Sequence, residues 1–245
     1  MKIHAHIIAF NEEKILPFTL DYYSSICEKI FVYDNMSTDS SDEIYKKYEK
    51  VEVIKWDSNN EINEFNYTKI KSYEYRNRSR GQKVDWVITC DCDEFIYHPN
   101  LIDKLKHYSS VGVTVVRTSG HEMVSNEFPK YDNTLLPNKI KIGSEKLKML
   151  SKSIIFNPEI NIEFDAGAHN FSSDNTILSD TDEIKILHYK GLGENYVKEI
   201  YENRAKRLSQ TNKTNGWGTH YFESEKFILL MRDILKKNKN IVDVI

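Results

Sequence analysis

The stretch from Asp85 to Ile96, DWVITCDCDEFI, limits the possible folds of this chain more than any other. Its first part, Trp86 to Cys90, is a near-continuous apolar run that suits a strand buried on both faces of a parallel sheet. It ends in three carboxylates within four residues, Asp91, Asp93 and Glu94. Side chains alternate along a strand, so Asp91 and Asp93 are expected on one side and Cys90 and Cys92 on the other. Adjacent acids at the end of a buried strand repel unless a cation or a proton offsets them. A hard divalent ion such as Mg²⁺ or Mn²⁺ takes carboxylate oxygens and keeps positions open for phosphate. The competing reading is a strand ending in a solvated acidic turn, and Asp-x-Asp alone does not choose between the two.

The chain before this stretch alternates strand and helix. Ile3 to Phe10 reads as a first buried strand, polar only at His4 and His6, and Asn11-Glu12-Glu13 leads into a helix through Leu16, Leu20 and Tyr23. Ile30 to Tyr33 is a second strand. It closes in Asp34-Asn35-Met36-Ser37-Thr38-Asp39, a run rich in turn and cap residues. Helices over about 42–49 and 63–80 bracket a third strand, Val51 to Trp56. This order predicts an α/β fold, a mostly parallel central sheet flanked by helices. Ligands of such sheets bind beyond the carboxyl ends of the strands. Asn11-Glu12, Asp34-Asn35 and Asp91–Glu94 all fall there. No Gly-x-Gly-x-x-Gly or Walker pattern appears at these turns, which disfavours a dinucleotide fold or a P-loop.

After the acidic strand come a short helix from Leu101 to His107 and a strand from Val111 to Arg117. The segment Thr118–Lys146 reads as irregular, of the kind that encloses substrates. Strands at 153–156, 160–164 and 184–189 follow, then helices over about 193–211 and 223–238. Residues 1–190 are expected to form the binding and catalytic domain, with 191–245 a helical extension packed on it.

The net charge of -3, with both signs interspersed, argues against a nucleic-acid binder. No segment is apolar and long enough to span a bilayer, and Met1–His6 lacks the pattern of a signal peptide. Three cysteines, two of them one residue apart, imply no disulfide framework. A cytoplasmic setting is the expectation. The basic run Lys236-Lys237-Asn238-Lys239 after an apolar helix leaves open a peripheral contact with the inner face of the membrane.

With Asn11-Glu12, Asp34-Asn35-x-Ser37-Thr38-Asp39, Arg76-Asn77, Asp91-Cys92-Asp93-Glu94-Phe95 and His188-Tyr189 in this order, the sequence resembles glycosyltransferases of the GT-A fold. The nearest branch is the family-two-like one of bacterial polysaccharide and lipooligosaccharide assembly. The resemblance covers about residues 3–190. It implies that Asn11, Glu12 and Asp34, with Arg76 and Asn77, hold the base and ribose of a nucleotide-sugar donor. Asp91 and Asp93 would then carry Mn²⁺ or Mg²⁺ on the donor diphosphate, with His188 as a further ligand. The extra acid, Glu94, departs from the family pattern. The activity implied is transfer of a sugar, from UDP by first choice, to a hydroxyl of a glycan or lipid-linked acceptor, with inversion.

Such transfer needs a base near the acceptor oxygen. Asp165, His169, Glu122 and Glu163 are the candidates. Asp165 and His169 flank Gly167 in a turn where backbone can approach a substrate closely. Lys148 and Lys152 are either diphosphate contacts or solvated surface, and Trp217 either stacks on a sugar or pins the last helix. Two other functions compete. A sugar-phosphate nucleotidyltransferase is disfavoured because Asn11-Glu12-Glu13-Lys14 is acidic and has no glycine. A non-catalytic carbohydrate-binding module would use the aromatics but leave the acidic strand end without a purpose.

Overall fold

The computed structural model describes residues 1–242. Its first half lays down β1 (Ile3–Ala9), α1 (Leu16–Ile26), β2 (Lys29–Asp34), α2 (Ser41–Tyr45), β3 (Val51–Lys55), α3 (Glu64–Arg78) and β4 (Trp86–Asp91). The four strands are parallel in the order β3-β2-β1-β4. Alternation along them explains the mixed character of β1. Ala5, Ile7, Ile30 and Val32 pack on one face with Leu16, Phe18 and Tyr23 of α1. Ile8, Phe31 and Tyr33 pack on the other with Tyr67 and Ile70 of α3. His4 and His6 share that second face and both bond Ser79 Oγ just past α3, at 2.9 Å each, so their polarity is satisfied without solvent.

The register sets Ile8 opposite Asp91 and Ala9 opposite Asp34. The loops after β1, β2 and β4 therefore open on one rim. Two of them are clasped together. Asn11 donates its N–H to Ser37 Oγ at 2.9 Å and its Oδ1 accepts from Thr38 N at 2.7 Å. Asn11 has a φ of 52°, a left-handed conformation that Asn tolerates better than most residues.

At Cys92-Asp93 the chain leaves this sheet. It continues through β5 (Glu94–Tyr97), α4 (Leu101–Ser110), β6 (Val115–Val116), β7 (Thr118–Ser125), α5 (Leu136–Lys139), β8 (Ile155–Phe156), β9 (Ile162–Phe164), β10 (Phe171–Ser173) and β11 (Ile184–Leu192). β8, antiparallel to β4, and β6 extend the first sheet to six strands. A second sheet has the order β5-β11-β7, with β11 parallel to β7 and antiparallel to β5. The acidic segment thus lies at the junction of two sheets. The expected side-by-side placement of Asp91 and Asp93 on one strand ends there, because the strand stops at Asp91.

The segment expected to be irregular from Thr118 contains β7, a buried strand. Its sequence, TSGHEMVS, hides that burial because the polar groups are satisfied internally. His121 Nδ1 lies 3.0 Å from the Ser144 carbonyl, Thr118 Oγ1 donates to the Lys152 carbonyl, and Glu122 pairs with His188. Gly120 is required by contact: a Cβ there would stand 2.1 Å from the Leu150 carbonyl carbon. The strand expected at Val111–Arg117 shrinks to Val115–Val116.

Helices α6 (Glu194–Lys206), α7 (Gln210–Asn215) and α8 (Ser224–Lys237) complete the described chain. Ile228, Met231 and Ile234, at helical spacing, pack with Val197, Tyr201 and β7's Val124. No helix among the described residues is long and apolar enough to cross a membrane.

Candidate active site

Where the parallel strands end, a cavity of about 1230 Å³ opens between the rim loops, the second sheet and helices α6 to α8. Asn11, Glu12, Asp91, Asp93, Glu122, His169 and His188 all line it. Its floor is a set of buried ion pairs. Asp91, partly exposed, has Oδ1 2.9 Å from Lys71 Nζ of α3. Glu94 accepts from Lys152 Nζ at 2.6 Å and, through its other oxygen, from Asp91 N at 3.1 Å. Glu94 therefore braces the acidic turn. Burial opposes its ionisation, but Lys152 and then Lys71 hold its pKa down to about 2.

Asp93 is 3% exposed. Its Oδ2 lies 3.4 Å from Arg204 Nη2 and 3.7 Å from His188 Nε2. Burial works against its charge, yet His188, Arg204, Lys190 and Lys152 together keep the carboxyl well below the usual range. Arg204, from α6, also reaches Glu12 Oε1 at 3.2 Å. Burial pushes Glu12 up to about 7, against the pull of Arg204.

Asp93 and His188 are the residues that would hold a divalent ion, with Arg204 Nη2 3.4 Å from the same Asp93 oxygen. In its neutral tautomer with Nδ1–H donating to Glu122 Oε2 at 2.7 Å, His188 would turn the Nε2 lone pair toward Asp93. Two donors each about 2.1 Å from one ion stand roughly 3 to 4.2 Å apart, and the 3.7 Å between Asp93 Oδ2 and His188 Nε2 falls inside that span. Glu122 Oε1 is buried with no hydrogen-bond partner among the described residues. No third acid, histidine or cysteine joins these into a preformed cluster among the described residues.

The other residues singled out in the sequence are placed elsewhere. Asp34 does not line the cavity: it is fully buried and its oxygens are taken by Ser37 N, Tyr45 OH and Lys55 Nζ. The adjoining Asn35, Met36 and Thr38 line it instead. Arg76 lies outside, bonded to the Ile162 carbonyl and laid over Tyr73, and the neighbouring Asn77 is exposed. Asp165 is exposed and closes its own turn by accepting from Asn170 N and Nδ2 at 2.9 and 2.7 Å. Glu163 is exposed and bonded to Tyr73 OH. Of the candidate bases, His169 and Glu122 reach the cavity. The His169 ring is open to solvent on one side. Its enclosure on the other, then Lys152, lowers its pKa and keeps it neutral. Lys152, not Lys148, is the lysine of its segment that meets the site. Cys90 and Cys92 are buried free thiols, and burial pushes both pKa values up.

Sequence reasoning missed Lys71, Lys190, Arg204, Arg207, His220 and Tyr221, all of which line the cavity. One signal was present. Val197, Tyr201 and Arg204 follow helical spacing, which puts an arginine on the apolar face of α6.

No family model and no curated protein matches the sequence. Among solved structures, the chain is similar to residues 1–349 of S. aureus TarS in complex with UDP-GlcNAc, at 15% identity and a TM-score of 0.46. That match covers 84% of this chain and 69% of the other. Against the longer S. aureus TarS structure the identity is 16% and the TM-score 0.48, covering 84% and 41%. Glucosyl-3-phosphoglycerate synthase from Mycobacterium tuberculosis, solved with Mn²⁺, UDP-glucose and phosphoglyceric acid, aligns over 49% of this chain and 43% of its own. There the identity is 17% and the TM-score 0.32.

Proposed function

We propose that this chain is a glycosyltransferase of GT-A type. It takes a sugar from a nucleoside diphosphate, UDP by first choice, and passes it to a hydroxyl of a glycan or lipid-linked saccharide with inversion. The observation that carries the reading is the meeting of Asp91, Asp93 and His188 in one large cavity at the shared carboxyl ends of parallel strands. The nucleoside would bind against Phe10, Asn11, Asn35 and Asn60, and the acceptor against His169, Trp217 and Tyr221, all of which line the cavity.

Asp93 and His188 would hold Mn²⁺ or Mg²⁺, the imidazole favouring Mn²⁺. When bound, the ion supplies positive charge to the leaving diphosphate. His169, neutral and in the cavity, is the base assigned here. As the acceptor oxygen bonds the anomeric carbon, its proton passes to the imidazole, and the bond from that carbon to the phosphate oxygen breaks with its electrons left on the diphosphate. Glu122 fixes the His188 tautomer. Exposed Leu229, about two turns before Lys236 on α8, supports a membrane-side location for a lipid-linked acceptor.

A panel of sugar nucleotides screened for hydrolysis and transfer with Mn²⁺ tests the reading. Metal-dependent turnover of one donor is the expected result. Stabilisation by free sugar with no response to any nucleotide would support the binding-module alternative instead.

A further inference from the structure

Nearly every cation that lines the cavity is spoken for. Lys71 is paired with Asp91, Lys152 with Glu94, Arg204 with Glu12 and Asp93, Lys206 with Glu202 and Lys226 with Glu223. Arg207 lies on the Phe10 ring and donates to the Asn60 carbonyl. Lys190 differs. It is 8% exposed, lines the cavity and has no ion-pair or hydrogen-bond partner among the described residues. Its ammonium rests between two aromatic faces, 5.9 Å from the Tyr201 centroid and 5.3 Å from that of Tyr221.

An ammonium taken out of water without an anion is costly, and two ring faces return about 0.5–2 kcal/mol each, less than hydration provided. Such a group persists where a ligand completes it. Tyr189 turns inward against Phe95, whereas His188 and Lys190 both line the cavity, and the register of β11 against β7 shifts between His188 and Gly191. The field of Lys190 reaches Asp93, but no carboxylate among the described residues makes an ion pair with it.

We propose that Lys190, seated on Tyr201 and Tyr221, is an anion receptor for a phosphoryl group of the substrate. It is distinct from the Asp93–His188 pair and assembled only when α6 and the segment carrying Tyr221 pack on β11. The inference rests on the transferase reading and deepens it. In that reaction the developing charge sits on the diphosphate oxygens, and a fixed ammonium held in no direct ion pair stabilises it. A phosphate on the acceptor would present the same chemistry.

The test compares wild type, K190M and K190R by calorimetry, with and without Mn²⁺. The probes are pyrophosphate, UDP, uridine, a hexose phosphate and the free hexose. K190M is expected to lose about 10–100-fold in affinity for pyrophosphate and UDP, the range for a hydrogen bond to a charged group. Uridine binding should stay level, and K190R should recover part of the loss. A loss confined to the hexose phosphate would keep the receptor and assign it to the acceptor. The inference is overturned if wild type binds none of the three anions, or if K190M binds all of them as wild type does. Should K190M melt below the assay temperature, K190Q carries the same comparison. The transferase reading fails separately, if wild type turns over no sugar nucleotide while these anions still bind.

Discussion

The two halves of the cavity are built in opposite ways. The half around β1, β2 and β4 is made of short loops that follow buried strands, and its acids lie within a few residues of the strand ends that place them. The half around β7, β11 and α6 draws its charged groups from the interior of strands and helices. Arg204 meets Asp93 across 111 residues of sequence, and His188 meets Glu122 across 66. The acids of the first half are therefore set by local chain geometry; Asp91 meets Lys71 within that half, whereas Arg204 and His188 meet Asp93 only once the second half has docked.

That contrast explains what could be read beforehand. An apolar run ending in Asp91-Cys92-Asp93-Glu94 announces a strand end, and parallel topology makes strand ends converge, so the rim was legible. β7 was not, because Ser119, His121 and Glu122 are buried by partners that sequence proximity does not reveal. Arg76 and Asn77 were drawn toward the site by their position in the helix before the acidic strand. In the fold α3 instead presents Lys71, a turn and more earlier, to Asp91. Asp34 reads as a free strand-end acid, but Tyr45 and Lys55 occupy it.

The largest effect expected belongs to the residue that both halves share. D93N keeps the shape of the turn and removes the charge facing His188 and Arg204. Transfer should fall by at least about 10³-fold, on the order of 4 kcal/mol of activation free energy, with the far-ultraviolet spectrum unchanged. Metal-dependent turnover retained by D93N would rule out the proposed centre.

Breaking the bridge from the other side acts on stability. R204M leaves Glu12 and Asp93 facing each other without their guanidinium. Removing one partner of a buried pair costs about 3–5 kcal/mol, read as a lower urea midpoint. E12Q in the same background should recover part of that loss, since it removes one of the stranded acids. Additive losses in the double variant would show that the two halves are not coupled through Arg204.

Acid should separate the halves through Glu94. Its pKa is lowered from 4.5 to about 2, so its contribution is fully present above pH 4.5 and is lost as the pH falls toward 2. A depression of that size corresponds to on the order of 3 kcal/mol. Wild type should thus lose its advantage over E94Q progressively as the pH falls from 4.5 toward 2, as followed by urea midpoints. A constant gap across that range would detach Glu94 from the acid response. H188A is expected to weaken Mn²⁺ binding by about 10–100-fold. Unchanged Mn²⁺ affinity would remove His188 from the ligand set.

The smallest effect is the sharpest test of where the site ends. Arg76 donates to the Ile162 carbonyl from the outer side of α3 and covers the Tyr73 ring at 4.5 Å. R76A removes a partly exposed contact, so stability should change by no more than about 0.5–1 kcal/mol. Because no atom of Arg76 lines the cavity, KM for the donor and kcat should stay within about twofold of wild type. A tenfold rise in KM with kcat unchanged would mean that donor binding extends over the outer face of α3. The boundary between the two halves would then run along that helix rather than through Arg204.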